Sequence, residues 1–122
     1  MNDATLLLRQ VHPSFVQNGF VTSQAFRPFP EDKGLLSTYD GDMIDAESSW
    51  AHFTIALRAV GTMGILVSEC TSEELLARPD PEPFPSHAVV DFNAHSDKKR
   101  ESKGKKLRDR AAIRGWLYRE ER

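Results

Sequence analysis

Leu35–Cys70 reads LLSTYDGDMIDAESSWAHFTIALRAVGTMGILVSEC, and along it the pattern changes from strand to helix and back to strand. Leu35–Tyr39 is a short β-prone run, closed by Asp40-Gly41-Asp42, a turn of the Asp-Gly kind. Asp45 then stands where an N-cap belongs, because its carboxylate can accept from the free amides of a first turn, and Glu47 suits the positive end of a helix dipole. From Ala46 to Ala59 the residues Trp50, Phe53, Leu57 and Val60 recur at three- and four-residue spacing, which predicts a central amphipathic helix over 46–59 with Trp50 as a core anchor. Gly61 and Gly64 bracket its exit, and Ile65–Cys70 has the composition of a buried strand. Strand, helix and strand in one stretch, with no βαβ repetition elsewhere, predict an α+β domain.

Upstream, Thr5–Val11 (TLLLRQV) is continuous and apolar enough for a buried first strand, broken by His12-Pro13-Ser14. Ser14–Gly19 leaves room for one helical turn ending at Asn18-Gly19, and Phe20–Phe26 alternates as a strand before Pro28 and Pro30. Downstream, Thr71-Ser72-Glu73-Glu74 matches a capping box and predicts a short helix over Ser72–Ala77. Pro79, Pro81, Pro83 and Pro85 make Arg78–Ser86 an extended connector, read as a stiff spacer. His87–Phe92 is a last strand. Residues 96–114 are rich in helix formers, Gly115 stands at the C′ position, and Trp116-Leu117-Tyr118 is expected to fold back on the body. The sum is one domain over 1–122 with about four to five short strands, the helix 46–59 and a basic C-terminal helix.

A chain of 122 residues supports one hydrophobic core, and its 39% hydrophobic and 28% charged content is that of a folding protein rather than a disordered one. Its longest apolar runs, such as Leu6–Leu8 and Gly64–Val67, are strand-sized, so no membrane association is expected. Met1-Asn2-Asp3-Ala4 lacks the charged and apolar regions of a signal peptide, and a lone Cys70 forms no internal disulfide. Cytoplasmic residence in a bacterial-type system is the expectation.

The net charge of −2 conceals a segregation. Residues 1–96 carry five basic and thirteen acidic side chains, a net of −8, whereas residues 97–122 carry eleven basic and five acidic, a net of +6. Nine of the cations lie between 98 and 114: Lys98, Lys99, Arg100, Lys103, Lys105, Lys106, Arg108, Arg110 and Arg114. Only Leu107 and Ala111, with Gly104 and Gly115 nearby, form an apolar stripe on this helix, so most of its surface is expected to face water. A solvated cationic cylinder attracts phosphates or acidic proteins. The rival account is that it packs on the chain's own acidic body.

For chemistry, His12, His52, His87 and His95 show no metal-ligand spacing, and neither a metal nor a cofactor is implied. Asp40, Asp42, Asp45 and Glu47 are explained by turn and cap chemistry. Glu69 and Cys70 lie at the end of a predicted strand just before a predicted helix, where the helix dipole lowers a thiol pKa. Arg9 on the first strand, Ser37-Thr38 on a middle strand and Glu69 on a later one form a set whose order resembles the arginine, serine and glutamate of ADP-ribosyltransferase-type folds. That resemblance implies arginine and serine gripping NAD and glutamate supporting a ribose cation. Those enzymes carry Glu or Gln two residues before the catalytic glutamate, and here that residue is Val67.

Three functions are therefore weighed. The first is a binding or accessory module, a subunit of a larger complex, that docks an acidic protein partner or a nucleic-acid backbone through 98–114. The second is a small enzyme using Arg9, Ser37 and Glu69, or Cys70. The third is an antitoxin-like or immunity-like protein that uses its acidic body.

Overall fold

The computed structural model describes residues 1–121. Among them eight strands occur: β1 (Leu6–Val11), β2 (Val16–Gln17), β3 (Phe20–Val21), β4 (Leu35–Asp40), β5 (Gly61–Leu66), β6 (Leu76–Pro79), β7 (His87–Asp91) and β8 (Tyr118–Arg119). Three α-helices accompany them: α1 (Ala46–Phe53), α2 (Val67–Ser72) and α3 (Asp97–Arg114). Six strands form one antiparallel sheet in the order β6-β7-β4-β1-β5-β8, and β2 and β3 make a separate ribbon. The α+β class holds, but four to five strands is an undercount. The additional strands are two to four residues long, too short to show a period of their own, and exist because a neighbour supplies their hydrogen bonds.

Register assigns each strand residue to a face, because directly opposed residues point the same way. Leu7, Val11, Leu36, Met63, Ile65, Ala88 and Val90 share the face on which Leu107 and Ala111 of α3 and Phe26 complete the core. Leu8, Gln10, Ser37, Tyr39, Thr62 and His87 share the opposite face, which α1 covers in part. There a buried polar chain pins the helix: Thr62 Oγ1 donates to Gln10 Oε1 (2.6 Å), and Gln10 Nε2 donates to Ser49 Oγ (2.8 Å).

Several boundaries depart from expectation. The helix predicted over 46–59 ends at Phe53, where the Thr54 hydroxyl donates to the Trp50 carbonyl (2.8 Å). Its apolar face is therefore incomplete: Leu57 is 61% exposed, and Trp50 is half-buried, donating through Nε1 to Ala59 O (2.8 Å). The strand predicted over 65–70 ends at Leu66, and α2 begins at once because the Glu69 carboxylate accepts from the Leu66 amide (2.8 Å). Thr71 thus lies near the helix C-terminus and caps nothing; its hydroxyl bonds back to Val67 O (3.1 Å), and the helix predicted over 72–77 is replaced by Glu74 at φ 60 and strand β6. Phe20–Phe26 is a strand only as far as Val21 and then a 3₁₀ turn, Ser23–Phe26. Arg78 and Pro79 belong to edge strand β6, where a missing donor is tolerated.

Candidate functional site

α3 has the span of the basic segment, with Ser96 as N-cap and Gly115 (φ 86) closing it. Gly104, Leu107 and Ala111 are its buried residues. Six of the nine cations bond to this chain. Lys103 Nζ donates to Glu73 O (2.6 Å) and Lys106 lies 3.5 Å from the Glu73 carboxylate. Arg110 and Arg114 reach Glu69 at 3.8 and 2.9 Å, Arg114 also donating to Gly64 O at 2.7 Å. Arg108 donates to Val21 O (3.2 Å), and Arg100 to His95 O (2.9 Å). Lys98, Lys99 and Lys105 enter no ion pair among the described residues. Lys98 and Lys105 are seven residues apart on one helix face, away from Leu107.

A concavity larger than the one beside Arg110 and Arg114 lies elsewhere, on the α1 side of the sheet. It is a cleft of about 900 Å³ with a floor of Leu8, Ser37, Tyr39 and His87, and with Phe15, Phe29, Phe53 and Phe84 among its walls. The fold opens it by splaying two strands. β1 and β4 pair only at Leu7–Asp40 and Leu8–Tyr39, and beyond that point they diverge. The Arg9 side chain fills the gap: Nη1 donates to Ser37 O (3.0 Å), where a continued ladder would place a backbone amide, and Nε donates to Ala25 O (2.6 Å) on the far side. Burial pulls the guanidinium pKa down to about 10 against the opposing charge of Asp32, which still leaves a cation at neutral pH.

On the cleft floor, Tyr39 Oη and His52 Nδ1 are 2.7 Å apart, and burial pushes the phenol up to about 12, so it stays protonated. Ser37 Oγ is 3.2 Å from His87 Nε2, and His87 Nδ1 is 2.9 Å from Asp80 O and 3.3 Å from an Asp80 carboxylate oxygen. The proline-rich segment does more here than space two strands. It closes a tight loop, with Asp80 N donating to His87 O (2.9 Å) and His87 N to Phe84 O (3.0 Å), and sets the Phe84 ring 5.0 Å from the His87 ring.

Arg9 and Ser37 are thus brought together, as the small-enzyme expectation required, but Glu69 is not. It lies on α2, nearly buried, against Arg114 and Arg110, and does not line the cleft. Burial pushes its pKa up, but the Arg114 hydrogen bond, the Leu66 amide and the charges of Arg114 and Arg110 outweigh this and hold it below the usual range. The arginine, serine and glutamate set is not assembled. Cys70, for which an activated thiol was one reading and a small buried residue the other, sits inside α2, fully buried, and burial together with the Glu69 charge pushes it up to about 12. Such a thiol is no nucleophile at neutral pH.

His87, Asp80, Tyr39 and His52 were not singled out from sequence. The usable signal was the period of two that puts Ser37 and Tyr39 on one face; the partners across β7 depend on register. Among the described residues no group of three or more His, Cys, Asp or Glu is placed to hold a metal, and no helix is long and apolar enough to cross a membrane. No protein-family model, no curated protein and no solved structure matches this chain.

Proposed function

We propose that this chain is a small-molecule-binding domain whose cleft accepts a ligand with an aromatic or apolar body and an anionic group, the anion held at Arg9. The observation that supports this is the Arg9 guanidinium itself, clamped by two backbone carbonyls at the floor of an aromatic-walled cleft. Its volume falls within the few hundred to ~1,000 Å³ of small-ligand sites. A cation that is partly withdrawn from water and already oriented attracts an anion more strongly than an exposed lysine does. Calorimetry with 1-naphthyl phosphate and AMP, against neutral 1-naphthol and adenosine, tests it. The anions are expected to bind more tightly than their neutral parents, and Arg9→Met to weaken the anions by at least about tenfold, the loss of one charge-assisted contact, while sparing the neutral compounds. Equal affinity of wild type and R9M for both anions would refute the reading.

A second reading, docking of a nucleic-acid backbone or an acidic protein through α3, is favoured by the three unpaired lysines. Because the other six cations bond to the body, the free surface is narrower than the charge count suggests. Fluorescence anisotropy with a labelled single-stranded RNA and with poly-glutamate at low salt would test it. Reversing Lys98, Lys99 and Lys105 to Glu is expected to cut affinity for one of the two by at least about tenfold, with a steep salt dependence, and to leave the melting temperature unchanged. Binding of both that survives the reversal removes α3 from the function.

A further inference from the structure

The contacts of His87 define its tautomer. A backbone carbonyl only accepts, so the 2.9 Å contact to Asp80 O requires a proton on Nδ1. In the neutral ring Nε2 is then a bare acceptor, and the hydroxyl that faces it, Ser37 Oγ at 3.2 Å, is its donor. The Asp80 carboxylate, 3.3 Å from Nδ1, is placed to stabilise the ring when it becomes positive. Ser37 is exposed at the cleft floor, whereas the His87 side chain is only 9% exposed and is packed by Phe84, so nucleophile and base are held on a sheet rather than on free loops. The Arg9 guanidinium, bonded to the backbone carbonyl of Ser37 at 3.0 Å, adds a positive charge to the lining of the same cleft.

We propose that Ser37, His87 and Asp80 form a nucleophilic relay that hydrolyses aryl or other activated carboxylic esters bound in the cleft. The proposal rests on the cleft as the binding site and adds a reaction to it. In the first half, Ser37 Oγ attacks the ester carbonyl carbon and its proton passes to His87 Nε2. The carbonyl oxygen becomes an oxyanion beside Arg9. The bond to the leaving oxygen then breaks, and that oxygen takes the proton from His87, leaving acyl-Ser37 and a free alcohol. In the second half, water attacks the acyl carbon and gives a proton to His87. The bond to Ser37 Oγ breaks and the serine regains the proton, releasing a carboxylic acid, which ionises to the kind of anion that Arg9 is placed to hold. His87 is the general base and acid, and Asp80 is a positioning residue.

The test uses the whole chain with 1-naphthyl acetate as substrate and a fluorophosphonate as covalent probe, the adduct being mapped by peptide mass spectrometry. A single adduct on Ser37 is expected, with turnover of the ester. S37A, at an exposed position, should keep the wild-type melt and lose both adduct and turnover by at least a hundredfold. His87→Gln should do the same to the chemistry. D80N, which keeps the backbone carbonyl, should lower kcat about tenfold with KM unchanged, and D80E should restore most of it, a pattern that a purely structural role would not produce. Absence of a Ser37 adduct, or turnover by S37A at the wild-type rate, overturns the relay. If 1-naphthyl phosphate still binds in an Arg9-dependent way, the binding reading survives that failure. If Ser37 is labelled but no anion binds, the relay stands and the ligand class falls.

Discussion

Replacing Leu107 by alanine is expected to lower the stability of the fold by about 3 kcal/mol, within the ~2–5 kcal/mol of fully buried leucine truncations. Leu107 is 0% exposed and is the only large side chain among the buried residues of α3, the other two being Gly104 and Ala111. The space it leaves has little means of closing, because α3 already sits tightly on the 3₁₀ turn at Ser23–Phe26. A Cβ at Gly104 would meet Arg27 Cβ at 3.2 Å and Phe26 O at 3.3 Å. Urea denaturation of L107A beside Ile113→Ala, on the same helix but 85% exposed, isolates the effect. The second variant is expected to change stability by less than about 0.5 kcal/mol. A loss below about 1 kcal/mol for L107A would mean that α3 is held by its charges rather than by this contact.

Glu69→Gln is expected to cost about 1–2 kcal/mol near neutral pH, less than the loss of one partner of a fully buried ion pair, because Arg114 and Arg110 keep contact with water. The Glu69 carboxylate joins three elements: it accepts from the Leu66 amide at 2.8 Å, from Arg114 Nη2 at 2.9 Å, and faces Arg110 at 3.8 Å. Glutamine keeps the cap but leaves Arg114, 25% exposed, without its charge partner. The pH dependence has a definite sign. A glutamate whose folded pKa lies below its unfolded one adds stability above the ordinary glutamate range and loses it as pH falls through the folded value. The gap between wild type and E69Q should therefore be full at neutral pH, shrink on acidification and close in strong acid, while the gap for L107A persists wherever the protein folds. A gap for E69Q that stays constant down to strong acid would show that the carboxylate charge is not the stabilising feature.

Both variants probe how α3 is attached, and there the sequence was informative for a local reason. Helix formers over 96–114, Gly115 as stop and a stripe limited to Leu107 and Ala111 all act within a few turns of chain. Strands β1, β4 and β7 were legible for a like reason, since each is a continuous β-prone run between breakers. Where two local signals competed, the sequence misled. Thr71-Ser72-Glu73-Glu74 has capping-box spacing, yet Glu69 reaches the Leu66 amide first and starts the helix five residues earlier than expected. Likewise Thr54 ends α1 through a side-chain bond that periodicity does not register.

The cleft belongs to the other category. Arg9, Ser37, Asp80 and His87 are scattered over most of the chain, and none has a motif around it. What joins them is that β1 separates from β4 after Leu8–Tyr39, that β4 pairs with β7 in the register Tyr39–His87, and that a loop with Pro81, Pro83 and Pro85 folds Asp80 back onto that histidine. By itself the sequence determined the composition class, the central strands and a basic helix with one narrow apolar stripe, because these follow from neighbours within a few residues. Only the tertiary structure decided which cations of α3 bond to the body, that Glu69 holds two helices together instead of facing Arg9, and that a serine and a histidine meet. Register between strands distant in the chain is set by packing of the whole sheet, to which no single segment holds the key.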